Sequence, residues 1–213
     1  MKNHLERMLT MINNIEKVFK DRKAMPIGKY KNSAVLVLLQ QVNGEEHVIF
    51  EVRSNKLTHQ PGDVCLPGGM IEEGENPRDT AIREAMEELN LSLDEIQYVG
   101  ELDYFISPYG MFMYPFIGKT NKIEIEPSEY EVDHIFTVPL KFFMEQEPLL
   151  YNMEIGPTNQ EGFPFHLING GKNYKFRNGI LKEYFYEYNN YVIWGFTAQI
   201  IKTFVDILKK EMN

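Results

Sequence analysis

Continuous apolar runs and short turn signals divide the chain into predicted strands. Ala34 to Gln40 (AVLVLLQ) is an apolar run of the kind that forms a buried strand. Asn43-Gly44 predicts a tight hairpin that returns as a second strand over His47 to Arg53. Further strands are expected over Tyr98 to Ile106, Met111 to Ile117, Ile135 to Pro139, Pro164 to Ile168 and Tyr174 to Arg177.

Helical periodicity marks both ends of the chain. At the N-terminus it predicts an amphipathic helix that packs on the body, with apolar positions at Leu5, Met8, Leu9, Ile12, Ile15 and Phe19. At the C-terminus it predicts a core helix, with apolar positions at Phe196, Ile200, Ile201, Phe204, Ile207 and Leu208. We therefore expect an N-terminal helix and linker over residues 1–30 and one domain over residues 31–213. Strands interleaved with helices predict the α/β class.

A further helix is predicted in the middle of the chain. Asn76 can act as its N-cap, and Pro77 suits its first position. One face of this helix is apolar, with Ile82, Ala85, Met86 and Leu89 at helical spacing.

Three glutamates are predicted on the other face, in the last two turns: Glu84, Glu87 and Glu88. They repel one another at spacings of three and four residues, and they lie at the negative end of the helix dipole. A solvated acidic face is the simplest interpretation. A bound divalent cation would reverse the sign of these interactions, because hard cations such as Mg²⁺ take carboxylate oxygens as ligands.

Composition narrows the classes of function. The 213 residues include 43% hydrophobic residues, which indicates a globular protein, and the net charge of −9 argues against nonspecific nucleic-acid binding. No apolar run approaches the ~20 residues of a membrane span, so no membrane partner is expected. A single cysteine, Cys65, excludes an internal disulfide framework. The first residues lack a signal-peptide core and the last three are not a peroxisomal address, so we expect the cytoplasm.

The residues around the acidic helix match a known pattern. Gly69, Glu75, Arg83-Glu84 and Glu87-Glu88 have the spacing of the Nudix box, G-x5-E-x7-R-E-U-x-E-E-x-G-U, where U is a bulky apolar residue. Asn90 replaces the second glycine, just past the helix, where a left-handed C-cap is expected and asparagine is tolerated. The chain thus resembles the Nudix hydrolases, which implies an α/β/α sandwich with a mixed β-sheet between helices.

The segment before the box resembles the signature of the coenzyme A diphosphatase branch of that family, L-L-T-x-R-[SA]-x3-R-x3-G-x3-F-P-G-G. The matching positions are Arg53, Ser54, Gly62, Pro67, Gly68 and Gly69. The departures are Ile49-Phe50-Glu51 at the opening, Leu66 for phenylalanine and Thr58 for the second arginine. Thr58 lacks the guanidinium that would bind phosphate in bidentate fashion. The stretch YVIWGFTA, residues 191–198, also resembles the I-W-G-x-T-A sequence that opens the last helix in this branch.

The resemblance implies a cofactor and its ligands. The cofactor would be Mg²⁺ or Mn²⁺, and the metal ligands would be Glu84, Glu88, Glu87 and the backbone carbonyl near Gly68. The substrate would be coenzyme A, cut at its diphosphate bond into 4′-phosphopantetheine and 3′,5′-ADP.

The resemblance also implies roles around the metal. Arg83 would orient the glutamates by pairing with Glu75. The general base would be Glu87 or, as the second choice, Glu131. Arg53 and Lys56 would contact the nucleotide phosphates.

Other interpretations stay open. Hydrolysis of another diphosphate such as ADP-ribose is the main alternative, and Thr58 favours it. A metal-free Nudix module that binds a ligand or a protein is the non-enzyme alternative. Trp194 is expected in the core and Cys65 in packing, while Glu131 is either a loop acid or a base. Aromatic side chains that either stack on adenine or fill the core are Tyr104, Tyr109 and Phe112. The oligomeric state is left open, a homodimer included.

Overall fold

The computed structural model describes residue 11 and residues 14–212. The chain divides into two compact units, Met1–Tyr30 and Lys31–Asn213. In the first unit, residues 14–19 form a helix (α1). Ile15 and Phe19 on this helix are exposed. Four of its predicted apolar positions lie outside the described residues: Leu5, Met8, Leu9 and Ile12.

The second unit contains the strands and the remaining helices. Among the described residues the strands are β1 (Lys31–Val42), β2 (Glu45–Arg53), β3 (Val64–Cys65), β4 (Gly68–Met70), β5 (Gln97–Glu101), β6 (Phe105–Ser107), β7 (Met111–Thr120), β8 (Val132–Pro139), β9 (Leu149–Ile155), β10 (Gly179–Tyr188) and β11 (Tyr191–Trp194). The helices are α2 (Pro77–Leu89), α3 (Leu140–Glu145) and α4 (Gly195–Met212).

β1 is the centre of a mixed sheet that the described residues build from eight strands. It pairs with β7 in parallel and with β2 and β4 antiparallel. Side chains alternate between its two faces: Leu36 and Leu38 pack with α2, whereas Val37 and Leu39 pack with α4. The sheet is therefore covered by helices on both faces, and the predicted α/β/α sandwich is confirmed.

A smaller antiparallel sheet follows in the order β11-β10-β9. Tyr186 and Ile193 on its inner face are buried in the same core cluster as Phe143 of α3. The other face of this sheet carries Phe185, stacked on Trp194 at a ring-centroid distance of 6.0 Å.

The strands predicted over Pro164 to Ile168 and Tyr174 to Arg177 are wrong. These segments hold short 3-10 turns at Phe165–Leu167 and Gly171–Asn173 and otherwise irregular backbone, and the true strands β9 and β10 flank them. The aromatic content that suggested strands instead forms a local cluster of rings: Phe163, Phe165, Tyr174 and Phe176.

No helix within the described part of the chain is long and apolar enough to cross a membrane.

Candidate active site

Two glycines bring β4 close to both β1 and α2. A Cβ atom on Gly68 would collide with the Ala34 carbonyl oxygen, and Gly68 has a φ of 154°. A Cβ atom on Gly69 would collide with the carboxylate of Glu84. Glycine at both positions therefore lets the backbone of this turn approach the acidic end of the helix closely.

Helix α2 is fixed at both ends by the predicted caps. The Asn76 side chain accepts a hydrogen bond from the Arg78 backbone N–H at 3.0 Å. Asn90 is left-handed (φ 50°, ψ 43°), its backbone N–H donates to the Met86 carbonyl, and its side-chain amide donates to the Glu126 carbonyl at 2.9 Å. The last turn of the helix, which carries the glutamates, is thus held in one orientation.

Arg83 joins three of the glutamates in one network. Its guanidinium donates to Glu75 at 2.9 and 3.2 Å and to Glu87 at 3.0 Å, and it forms an ion pair with Glu84 at 2.8 Å. The hydrogen bonds from Arg83 contribute most to lowering the pKa of Glu75 to about 2. This network has the geometry expected for a positioning residue.

Glu88 does not share the solvent face predicted for the three glutamates. It is buried, with 6% exposure, and its carboxylate accepts a hydrogen bond from the Gly68 backbone N–H at 2.8 Å. The reason is helical periodicity, since Glu88 follows buried Ala81 by seven residues and so returns to the same side of α2. Burial raises the pKa of Glu88 to about 8, with a further contribution from the neighbouring charges of Glu84 and Glu131. Glu84 is half-buried, and burial also raises its pKa.

Glu51 joins the acidic cluster of the candidate site and was not predicted from the sequence. It lies on β2 with 1% exposure, and its Oε1 atom has no hydrogen-bond partner among the described residues. Burial and the neighbouring Glu88 raise its pKa, and Arg53 opposes that shift. The available signal was an acid in the apolar run VIFEV, residues 48–52, where a strand side chain is expected to be buried.

The donor set fits a hard divalent cation. Glu51, Glu84 and Glu88 supply carboxylate oxygens close to one another, and Glu51 leaves a buried oxygen without a partner. In their present positions no three His, Cys, Asp or Glu side chains of the described residues form a metal-binding group. Arg83 holds Glu84, and the Gly68 N–H holds Glu88.

A cavity of about 560 Å³ opens beside the glycine turn. Its polar lining includes Arg53, Asp63 and Glu183. Much of the rest is apolar and rich in methionine: Met70, Met111, Met113, Met153, Trp194 and Phe196. Trp194 was predicted in the core, but it is 45% exposed and lines this cavity, because β11 places it on the outer face of the small sheet.

The two predicted phosphate-binding cations are placed differently. Arg53 lines the cavity, and its Nε atom donates to the His59 carbonyl at 3.3 Å. Lys56 lies outside the cavity lining and donates to the Glu129 carbonyl at 3.2 Å. Thr58 is exposed. Arg53 is therefore the only positively charged side chain among the described residues that line the cavity.

The aromatic residues that could stack on adenine, and Cys65, lie at different places. Tyr109 is exposed at the cavity, Phe112 is buried, and Tyr104 is exposed elsewhere. Cys65 lines the cavity, with its thiol 3.9 Å from Glu51; burial raises its pKa, which disfavours a thiolate and agrees with a packing role.

Comparison with known proteins gives the family. The model of the NUDIX domain matches residues 30–149, which is more than half of the chain. The peroxisomal coenzyme A diphosphatase ndx-8 of Caenorhabditis elegans is 36% identical over 54% of this chain and 51% of its own. The peroxisomal coenzyme A diphosphatase NUDT7 of Mus musculus is 31% identical over 60% of this chain and 55% of its own. The chain thus spans about half the length of these relatives.

Among solved structures, a MutT/nudix family protein from Enterococcus faecalis has the same fold. Its TM-score is 0.51 at 13% identity, over 92% of this chain and 69% of that chain. Together with the glycine turn, the capped helix and the Arg83 network, these matches show that the chain belongs to the Nudix family.

Proposed function

We propose that this protein hydrolyses the diphosphate bond of coenzyme A or its derivatives, giving 4′-phosphopantetheine and 3′,5′-ADP. The observation that carries the proposal is the position of Arg53, the signature arginine, which lines a cavity shared with Gly68 and Gly69. Two relatives that match this chain are named coenzyme A diphosphatases. The arginine can bind phosphate while the glutamate cluster adjoins the same glycine turn.

We further propose that Mg²⁺ or Mn²⁺ is the cofactor. The residues that would hold it are Glu84, Glu88, Glu87, Glu51 and the backbone carbonyl of Gly68. When bound, such a cation neutralises charge on the diphosphate and lowers the pKa of water. Arg83 acts as a positioning residue, since its contacts with Glu75, Glu84 and Glu87 fix the acidic face of the helix.

The general base is proposed from the surroundings of two candidates. Glu87 is exposed, and one of its carboxylate oxygens accepts a hydrogen bond from Arg83. Glu131 is half-buried and lies close enough to Glu51, Glu84 and Glu88 to raise their pKa values. These surroundings favour Glu131 over Glu87, and comparison of kcat for Glu131→Gln and Glu87→Gln would separate them.

Product analysis tests the proposed reaction. The purified protein is incubated with coenzyme A and Mg²⁺, and the products are identified by mass spectrometry. We expect only 4′-phosphopantetheine and 3′,5′-ADP, and a fall in kcat of about 100-fold or more for Glu84→Gln, because a ligand for the cation is lost. The control variant is Glu187→Gln, an exposed glutamate of β10 that should leave the rate unchanged. Other products, or an unchanged rate for Glu84→Gln, would refute the proposal.

We also propose a cellular location and binding partners for the protein. The relatives' names place those proteins in peroxisomes, and for this chain we propose the cytoplasm, where the free thiol of Cys65 would stay reduced. A small-molecule partner is favoured over nucleic acid by the net charge of −9. A homodimer stays a prediction that light scattering of the purified protein would check.

A further inference from the structure

Glu183 is an acid in the wall of the cavity that the proposed reaction does not use. It lies on β10 with 9% exposure and lines the cavity together with Met153 and Trp194. No hydrogen bond or ion pair joins its carboxylate to another of the described residues. Burial raises its pKa. The side chain is largely buried, yet its carboxylate faces the cavity and has no donor from the protein, so its position leaves an acceptor open to a ligand.

Strand register directs Glu183 towards the cavity. It is paired with Tyr151 of β9 and lies two residues before Phe185, which is paired with Trp194. Residues two apart on a strand share a face, so Glu183, Phe185 and Trp194 lie on the same side of the small sheet. The opposite side is packed into the core. The pairing of the strands therefore places the Glu183 side chain on the face of the sheet that lines the cavity.

The charged side chains of the lining lie at two ends of the cavity. Arg53 lies near the glycine turn, because its charge acts on Glu88 and Glu88 accepts a hydrogen bond from the Gly68 N–H, and this end suits phosphate. The charge of Arg53 does not contribute to the pKa shift of Glu183. Glu183, Met153 and Trp194 form an end with an acid and apolar side chains, where phosphate would be repelled and desolvated. A ligand group at this second end should carry hydrogen-bond donors, apolar carbon and no phosphate.

Coenzyme A has one part of that kind. Its adenosine half carries the 3′-phosphate, whereas the pantetheine arm beyond the diphosphate has two amide N–H groups, a hydroxyl group, a thiol and no phosphate. We infer that the pantetheine arm lies in the methionine-lined part of the cavity and that Glu183 accepts a hydrogen bond from one of its N–H or O–H groups, an inference that rests on the proposed function. Glu183 is then a specificity residue that distinguishes coenzyme A from diphosphates without this arm.

The fluorescence of Trp194 can report binding in the cavity, because Trp194 is the single tryptophan of the chain and lines the cavity. Its fluorescence is followed while free pantetheine, which has no phosphate, is titrated into the protein. We expect a saturable change, and a Kd for Glu183→Leu that is at least about tenfold higher because the acceptor is lost. Glu183→Gln keeps a carbonyl acceptor and should bind within about threefold of the unchanged protein.

The matched control is Glu187→Leu. Glu187 is an exposed glutamate on the same strand and face as Glu183, outside the cavity lining, so its replacement should leave the Kd for pantetheine unchanged. In steady-state assays with coenzyme A, Glu183→Leu should raise KM about tenfold or more with kcat within about twofold. With ADP-ribose, which lacks the arm, the KM of Glu183→Leu should match that of the unchanged protein.

Two results would overturn the inference. One is an unchanged Kd for pantetheine in Glu183→Leu, when circular dichroism shows that this variant is folded and Glu183→Gln binds pantetheine normally. The other is a Glu183-dependent response to 3′,5′-ADP in place of pantetheine, which would put the adenosine half at this end. Binding of pantetheine that depends on Glu183, without hydrolysis of coenzyme A, would support the position of the arm and refute the proposed reaction. Failure of the inference about Glu183 is thus distinguishable from failure of the proposed hydrolysis.

Discussion

At the scale of single residues, two buried carboxyl groups define the site. Glu51 and Glu88 are almost fully removed from water, and the charge of Glu88 makes ionisation of Glu51 harder. The Gly68 N–H satisfies one oxygen of Glu88, while an oxygen of Glu51 is left without a partner among the described residues. A folded protein keeps such a pair only where another group compensates the buried charge, and carboxylates favour a divalent cation in that role.

Gly69→Ala should damage the site more than the fold. The new Cβ atom would displace the Glu84 carboxylate, which is the mobile end of a side chain, while the backbone of Gly69 needs no left-handed conformation. We expect kcat/KM to fall about 100-fold or more, with a change in the free energy of unfolding below about 1.5 kcal/mol. Enzyme assays and urea unfolding of the same preparation measure both quantities.

A matched variant is Gly100→Ala. A Cβ atom on Gly100 meets nothing within 4 Å, so both activity and stability should stay near those of the unchanged protein. Equal loss of activity in the two variants would show that contact with Glu84 does not matter.

The resemblance to the Nudix box named most residues of the candidate site, Gly69, Arg83 and Glu88 among them, but the burial of individual side chains could not be predicted. Glu51 was missed because it comes from another strand. Trp194 was misplaced for the same kind of reason: the face that a strand residue presents depends on what packs against the sheet.

At the scale of elements, helix α2 shows what local sequence can specify. Asn76 and Asn90 cap its ends as predicted, because capping depends on side chains within a few residues of the helix terminus. The irregular segment between β9 and β10 shows the limit. Its aromatic residues have high strand propensity, but they pack on one another rather than along a sheet.

Asn90→Ala should be more destabilising than Asn90→Gly. Alanine disfavours the left-handed conformation and loses the hydrogen bond to the Glu126 carbonyl, whereas glycine loses only the hydrogen bond. We expect about 1–2 kcal/mol for alanine and less than about half of that for glycine. Urea unfolding of both variants measures the difference, and the opposite order would show that side-chain size, not the helix end, sets the stability.

At the scale of the whole molecule, pH and metal should act on stability together. The pKa of Glu88 in the folded protein is about 8, well above its ordinary value of 4.5. Between those two pH values the folded state binds more protons than the unfolded state, so stability without metal should fall as pH rises, by on the order of a few kcal/mol. Mg²⁺ should oppose this fall, because it binds the ionised carboxylates of the folded state.

Thermal unfolding between pH 5 and about 8.5, in EDTA and in Mg²⁺, measures this effect. Glu88→Gln should show a flatter pH dependence in EDTA and a smaller gain from Mg²⁺, while Glu187→Gln should follow the unchanged protein. A Glu88→Gln profile parallel to that of the unchanged protein would mean that Glu88 does not control the pH response.

The layered architecture could be predicted from the sequence, whereas the cavity could not. β1 carries apolar side chains on both of its faces, so each face of the sheet has to be covered. The two helices that cover them, α2 and α4, were visible in the sequence as amphipathic patterns. The cavity forms where the small sheet meets the glycine turn, and its walls come from segments more than a hundred residues apart. Packing at that distance leaves no periodic signal in the sequence.

The proposed preference for coenzyme A is tested most directly by the ratio of kcat/KM for coenzyme A to that for ADP-ribose, determined with the same protein and Mg²⁺. A Nudix site with Arg53 at the diphosphate and a cavity suited to the pantetheine arm predicts a ratio above about ten, equivalent to ~1.4 kcal/mol of transition-state binding. A preference of about tenfold or more for ADP-ribose would contradict it, and Thr58 would then mark a chain that has left the coenzyme A branch.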